Sequence, residues 1–146
     1  MECPQPGAPH IHTDAPSRCL RQRTGDLMEA IDSRIGEAPY CMMITFEIEP
    51  KDEAEFNDIY DNDHVPNIMK LPGVTEVLRF REAGPNAKGY LVYTAVYMMA
   101  TEDLHLTPEW TVLSDLGRWA PVIRPKVKSR TRSTGPVVAR FRKTAA

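Results

Sequence analysis

The run Tyr60-Asp61-Asn62-Asp63-His64-Val65-Pro66 places a phenol, two carboxylates and an imidazole within two helical turns of each other. At helical spacing His64 falls one turn after Tyr60 and two after Phe56, so the three lean toward one side. An imidazole there suits proton transfer near neutral pH, because its ordinary pKa of ~6.5 lets it give or take a proton. The structural alternative is that His64 hydrogen-bonds backbone freed by Pro66, which cannot donate to the carbonyl of Asn62. Tyr60 can donate to a substrate oxygen, or pack in the core with its hydroxyl satisfied. Asp63 faces inward on the helical wheel, where it can orient His64 or act as a base. A solvated carboxylate is the other reading for it and for Asp61. His64, Tyr60 and Asp63 are the catalytic candidates.

A second group is expected to bind substrate. Arg79 alternates with Val77 on a strand and is expected to point from a buried sheet face. A buried guanidinium needs a carboxylate or an anionic ligand, so Arg79 is either an intersubunit ion pair or a substrate anchor. Tyr93 and Tyr97 share one face of the neighbouring strand. Asn67 follows Pro66, and Trp110 and Trp119 read either as core or as a ligand wall. No metal site is expected: His10 and His12 fall in a Pro-rich arm, and His105 stands alone. Cys3, Cys19 and Cys41 contain no CxxC pair and suggest neither a disulfide framework nor a zinc site. With no Gly-rich phosphate loop and no Gly-x-Ser-x-Gly, any chemistry is expected to be cofactor-free.

These residues must be positioned by a small set of elements. Residues 40–49 alternate as a strand, with Met42, Ile44, Phe46 and Ile48 on one face. Asp52 followed by Glu55 reads as a capping box opening a helix that kinks at Pro66 and stops at Pro72-Gly73. Residues 74–82 and 90–99 are strands joined by a hairpin loop. Thr107-Pro108-Glu109 starts a second helix carrying Trp110, Leu113 and Leu116, and Gly117 stops it. Residues 122–141 read as extended. The order is β-α-β-β-α-β, an α+β ferredoxin-like arrangement with an antiparallel four-stranded sheet. Both faces of the third strand are apolar. Two helices cover only one face of such a sheet, so the other is expected to meet a second copy, giving a homodimer.

Residues 1–39 hold five prolines and are expected to form a flexible arm, with a short helix expected at 24–34 where Leu27, Met28, Ile31 and Ile35 have helical spacing. The domain is expected over 40–142, leaving 143–146 as a tail. The length of 146 residues, with 42% hydrophobic and 26% charged, fits one globular domain. No apolar run approaches a membrane span, and no secretory signal opens the chain, so a cytoplasmic protein is expected.

The net charge of −2 conceals an asymmetry, because nine of the 18 Lys and Arg residues and none of the 20 acids follow Asp115. Arg124, Lys126, Lys128, Arg130 and Arg132 recur at every second residue, which in a strand sets five cations on one face. The ladder reads as an anion site, as a charged edge that blocks aggregation, or as a partner for acids of a second subunit. It has no aromatic residue on which bases could stack, so nucleic acid is not the expected partner.

Tyr60-x-x-x-His64-x-Pro66, then Pro72-Gly73-Val74, then Arg79-Phe80, resembles the dimeric α/β-barrel superfamily, and most closely its EthD-like branch. Glu109-Trp110, Trp119 and Arg124-Pro125 resemble the later half of that branch, over residues 40–142 in all. The resemblance implies a pocket between sheet and helices. It leaves several reactions open: isomerisation, cyclisation, dehydration and cofactor-free oxygenation. The expected function is acid/base chemistry on a small hydrophobic, oxygenated metabolite. The alternatives are a non-catalytic ligand-binding or stress-type dimer and an anion-binding module.

Overall fold

The computed structural model describes residues 38–143. The expected helix at 24–34, most of the N-terminal arm and nearly all of the tail lie outside the described residues.

Strand β1, Tyr40–Ile48, buries Met42, Ile44, Phe46 and Ile48 as its alternation requires. Pro50 ends it and opens a 3-10 turn, Pro50–Asp52, which leads into helix α1, Glu53–Ile59. The expected capping box is not formed. Asp52 is already in helical geometry (φ −94, ψ −1) and its side chain caps nothing, while Glu55 is ion-paired with Lys126. A π turn, Tyr60–His64, follows, and then the short helix α2, Val65–Ile68. The Val65 amide donates to the carbonyl of Tyr60, so the extra residue of the π turn takes up the disruption caused by Pro66.

Strands β2, Val74–Arg81, and β3, Leu91–Met99, form the hairpin. Its loop is held by Asn86, whose Oδ1 accepts from the amides of Lys88 and Tyr90. Helix α3, Pro108–Asp115, is capped by Thr107, whose hydroxyl accepts from the Trp110 amide at 3.4 Å. Strand β4, Ser129–Pro136, completes an all-antiparallel sheet in the order β2-β3-β1-β4. This is the ferredoxin-like α+β arrangement, with the helices on the Phe46–Tyr93–Tyr97 face.

The chain corrects the expectation for residues 122–141. Only Ser129–Pro136 is strand: Trp119–Ile123 is a second π turn, Arg124–Lys126 a 3-10 turn, and 137–141 carry no regular structure. Trp119 and Ile123, four residues apart, both bury, and this helical anchoring overrides the strand-like alternation of the cations. The basic ladder is therefore broken. Arg124 pairs with Asp115, Lys126 with Glu55 and Lys128 with Glu49, all within one chain, and Arg130 and Arg132 alone of the five stand on a strand.

On the sheet face away from the helices, Met43 aligns with Val96 and Leu78, and Thr45 with Thr94 and Phe80. Met43, Leu78 and Phe80 are 42%, 60% and 48% exposed there. Among the described residues no helix is long and apolar enough to cross a membrane.

Candidate functional site

The two π turns supply the centre of the site. Tyr60 and His64 open and close the first, and Trp119 opens the second. The His64 imidazole stacks on the Trp119 indole with 4.5 Å between ring centres at 29°, and its other neighbour is the Tyr60 ring at 5.0 Å. Trp119 in turn meets Tyr60 edge-on at 5.2 Å and Phe46 at 5.5 Å. His64 is 6% exposed, and its Nδ1 is buried without a hydrogen-bond partner. That nitrogen does not satisfy the backbone around Pro66. Burial, followed by the positive charges of Arg124 and Arg79, pushes the imidazole pKa down to about 3. At neutral pH the ring is therefore uncharged. It can accept a hydrogen bond or a proton, but it is not a charged general acid.

The phenols are arranged behind it. The Tyr60 and Tyr97 hydroxyls share a hydrogen bond of 2.7 Å, and Trp110 packs edge-on against Tyr97 at 5.5 Å. Burial raises the Tyr97 phenol to about 12, and burial and the neighbouring Tyr97 raise Tyr60 well above its ordinary value. Both stay protonated. Arg79 lies over the Tyr60 ring at 4.3 Å, donates to Asn57 Oδ1 at 2.9 Å and pairs with Asp61. Within its own chain this guanidinium is thus held by Asn57, Asp61 and the Tyr60 ring.

Three expected members stand apart. Asp63 does not orient His64: it accepts from the backbone amide, Nε and Nη2 of Arg118 at 3.0, 2.9 and 2.8 Å, and these bonds hold its pKa at about 2. Tyr93 donates to Glu53 Oε1 at 2.5 Å and accepts from Asn57 Nδ2 at 3.0 Å. Asn67 Oδ1 accepts from Lys70 Nζ at 3.0 Å. His64, Tyr60, Tyr97, Trp110 and Trp119 form one connected wall of rings.

Sequence reasoning missed Arg118 as the clamp on Asp63, and missed the Asn57–Asp61 pair that receives Arg79. The second had a signal: Asn57 and Asp61 are four apart on one helical face. The first had a weaker one in Gly117, at φ +70, where an added Cβ would lie 2.9 Å from Asp63 Oδ2.

Four clefts lined by described residues open at the surface, and none of the four reaches His64 or Tyr60. One, of about 280 Å³, is floored by Phe46 and Trp119, so it stops one ring short of His64. Among the described residues no group of three or more His, Cys, Asp or Glu is placed to hold a metal ion.

No protein-family model matches the sequence, and no curated protein matches it. Solved structures do. A dimeric ferredoxin-like protein from an uncultured marine organism is 17% identical with a TM-score of 0.54, over 72% of this chain and 100% of that one. A protein of Bordetella bronchiseptica, named for antibiotic biosynthesis monooxygenases, is also 17% identical, with a TM-score of 0.53 over 69% and 99%. An EthD family protein of Bacillus halodurans, 20% identical over 66% and 96%, superposes less closely at 0.47. The chain has a ferredoxin-like α+β fold, which it shares with these solved structures.

Proposed function

We propose that this chain is a homodimeric, cofactor-free enzyme that takes a small hydrophobic, oxygenated metabolite against the wall of His64, Tyr60 and Trp119, where His64 is the proton acceptor. The observation that carries this reading is the partnerless Nδ1 of His64. A buried polar atom left unpaired costs about 1–3 kcal/mol, and a ligand hydroxyl placed there removes that cost. The surrounding rings make the neighbourhood of that nitrogen apolar and poor in water, and a ligand would enter from the Phe46–Trp119 cleft, which stops one ring short of the imidazole. Apolar exposure on the outer sheet face supports the dimer, as does the dimeric state of the marine neighbour.

The depressed imidazole pKa favours a second reading. A ring that resists protonation down to about pH 3 is a weak base, which suits hydrogen bonding to a ligand without proton transfer. On that reading the protein is a non-catalytic small-ligand binder using the same wall.

The probe for both is 1-naphthol, a flat apolar molecule with one hydroxyl, titrated calorimetrically. Wild type is expected to bind it at least about tenfold more tightly than His64→Leu, the loss expected for one buried hydrogen bond. Equal binding by the two proteins removes His64 from the site. Incubating a metabolite extract with wild type and His64→Gln then separates the two readings. A compound consumed by the first and only retained by the second marks an enzyme. Retention unchanged by both marks the binder.

A further inference from the structure

We propose that the cleft between β4 and the turns at 119–126 binds a flat aromatic monocarboxylate, with its ring on Phe46 and Trp119 and its carboxylate on Arg130. The site shares Trp119 with the wall described above, but it requires neither a proton acceptor nor turnover.

The cleft has about 280 Å³ and combines an apolar floor of Phe46, Trp119 and Val127 with a rim of Arg124, Lys128 and Arg130. Arg130 aligns with Phe46 across the β1–β4 pair, so both side chains leave the same face of the sheet. The rim charges are not equivalent. Arg124 is engaged by Asp115 at 2.6 Å and Lys128 by Glu49 at 2.8 Å, whereas Arg130 has no ion pair among the described residues. One uncompensated guanidinium matches one negative charge, and its fork matches the two oxygens of a carboxylate. The floor sets the rest of the ligand. Phe46 and Trp119 are 2% and 4% exposed and show the cleft only their edges. With Val127 they form an apolar contact against which a bare hydrated anion would lose water and gain nothing, while an aromatic ring gains apolar contact. A volume near the lower end for ligand pockets, roughly 300 Å³, limits the ligand to one or two fused rings. An edge-strand arginine placed only to discourage sheet pairing calls for no aromatic floor beside it.

The test compares 1-naphthoate with its neutral counterpart 1-naphthamide, titrated into the full chain as wild type, Arg130→Gln, Arg130→Lys and His64→Leu. Wild type is expected to prefer the carboxylate by about fivefold, the value of one partly exposed charge pair near 1 kcal/mol. Arg130→Gln abolishes that preference with an unchanged circular dichroism spectrum, Arg130→Lys retains part of it, and His64→Leu leaves it intact. The proposal is overturned if wild type binds the two probes equally, or binds neither at millimolar concentration. It is also overturned if the preference survives Arg130→Gln, or if His64→Leu removes it. The His64 reading fails on a different result, equal 1-naphthol binding by wild type and His64→Leu, so the two outcomes separate.

Discussion

The Trp119 indole and the His64 imidazole lie nearly parallel, 4.5 Å apart, and each is carried by a π turn. π turns are rare and concentrate at functional positions. Here two of them bring rings from distant parts of the chain into one stack and leave Nδ1 of the imidazole buried and unpaired.

Stability is expected to depend on His64 in mildly acidic solution. Its folded-state pKa of about 3 lies below the ordinary 6.5. The contribution of the neutral ring is therefore complete above pH ~6.5 and is lost as pH falls from there toward 3, by up to about 1.4 kcal/mol per unit. Urea midpoints at about pH 7 and about pH 5 should fall for wild type and stay level for His64→Leu. His105, also lowered by burial, contributes in the same direction, so both measurements are made in a His105→Gln background. A wild-type midpoint that does not move over this range contradicts a neutral buried imidazole.

The hydroxyl pair of Tyr60 and Tyr97 supports a double-substitution test. Tyr97→Phe strands the Tyr60 hydroxyl in the core and should cost about 1–3 kcal/mol. Adding Tyr60→Phe removes the stranded group and should recover most of that loss. Equal, additive losses would show that the two hydroxyls do not depend on each other.

Gly117 joins backbone geometry to the Asp63–Arg118 clamp. Its φ of +70 and the 2.9 Å approach of Asp63 Oδ2 to an added Cβ leave no room for a side chain. Gly117→Ala is expected to lower stability by about 1–2 kcal/mol from the left-handed conformation alone. It should also free Asp63, whose carbon-13 titration midpoint rises from about 2 toward the ordinary 3.8. A variant as stable as wild type, with the Asp63 midpoint unmoved, would show that the turn tolerates a side chain.

Replacing both Leu78 and Phe80 by Asp should convert a dimer into a folded monomer in sedimentation, because these side chains stand most exposed on the face away from the helices. A monomeric wild type contradicts the pairing of two sheets.

The fold was readable where one periodicity governed a segment. Two-residue alternation located the buried face of β1, and Thr107-Pro108 and Gly117 marked both ends of α3 and its turn. It was misread where two periodicities competed. The cations from Arg124 onward alternate like a strand, yet Trp119 and Ile123 repeat like a helix, and burying two large apolar side chains outweighs solvating charges that gain only surface pairs. The rings of the site were legible as types on strands and helices. The roles of Asp63 and Arg79 were not, because their partners Arg118 and Asp61 are fixed by tertiary contacts over long separations.

The state of the His64 ring nitrogens is the most direct test, read by nitrogen-15 NMR on histidine-labelled protein. The expected spectrum shows a neutral imidazole from about pH 7 to about pH 5, with an Nδ1 resonance that shifts when 1-naphthol is added. A ring already doubly protonated near pH 6, or an Nδ1 resonance unmoved by saturating 1-naphthol, would contradict a ligand site built on His64.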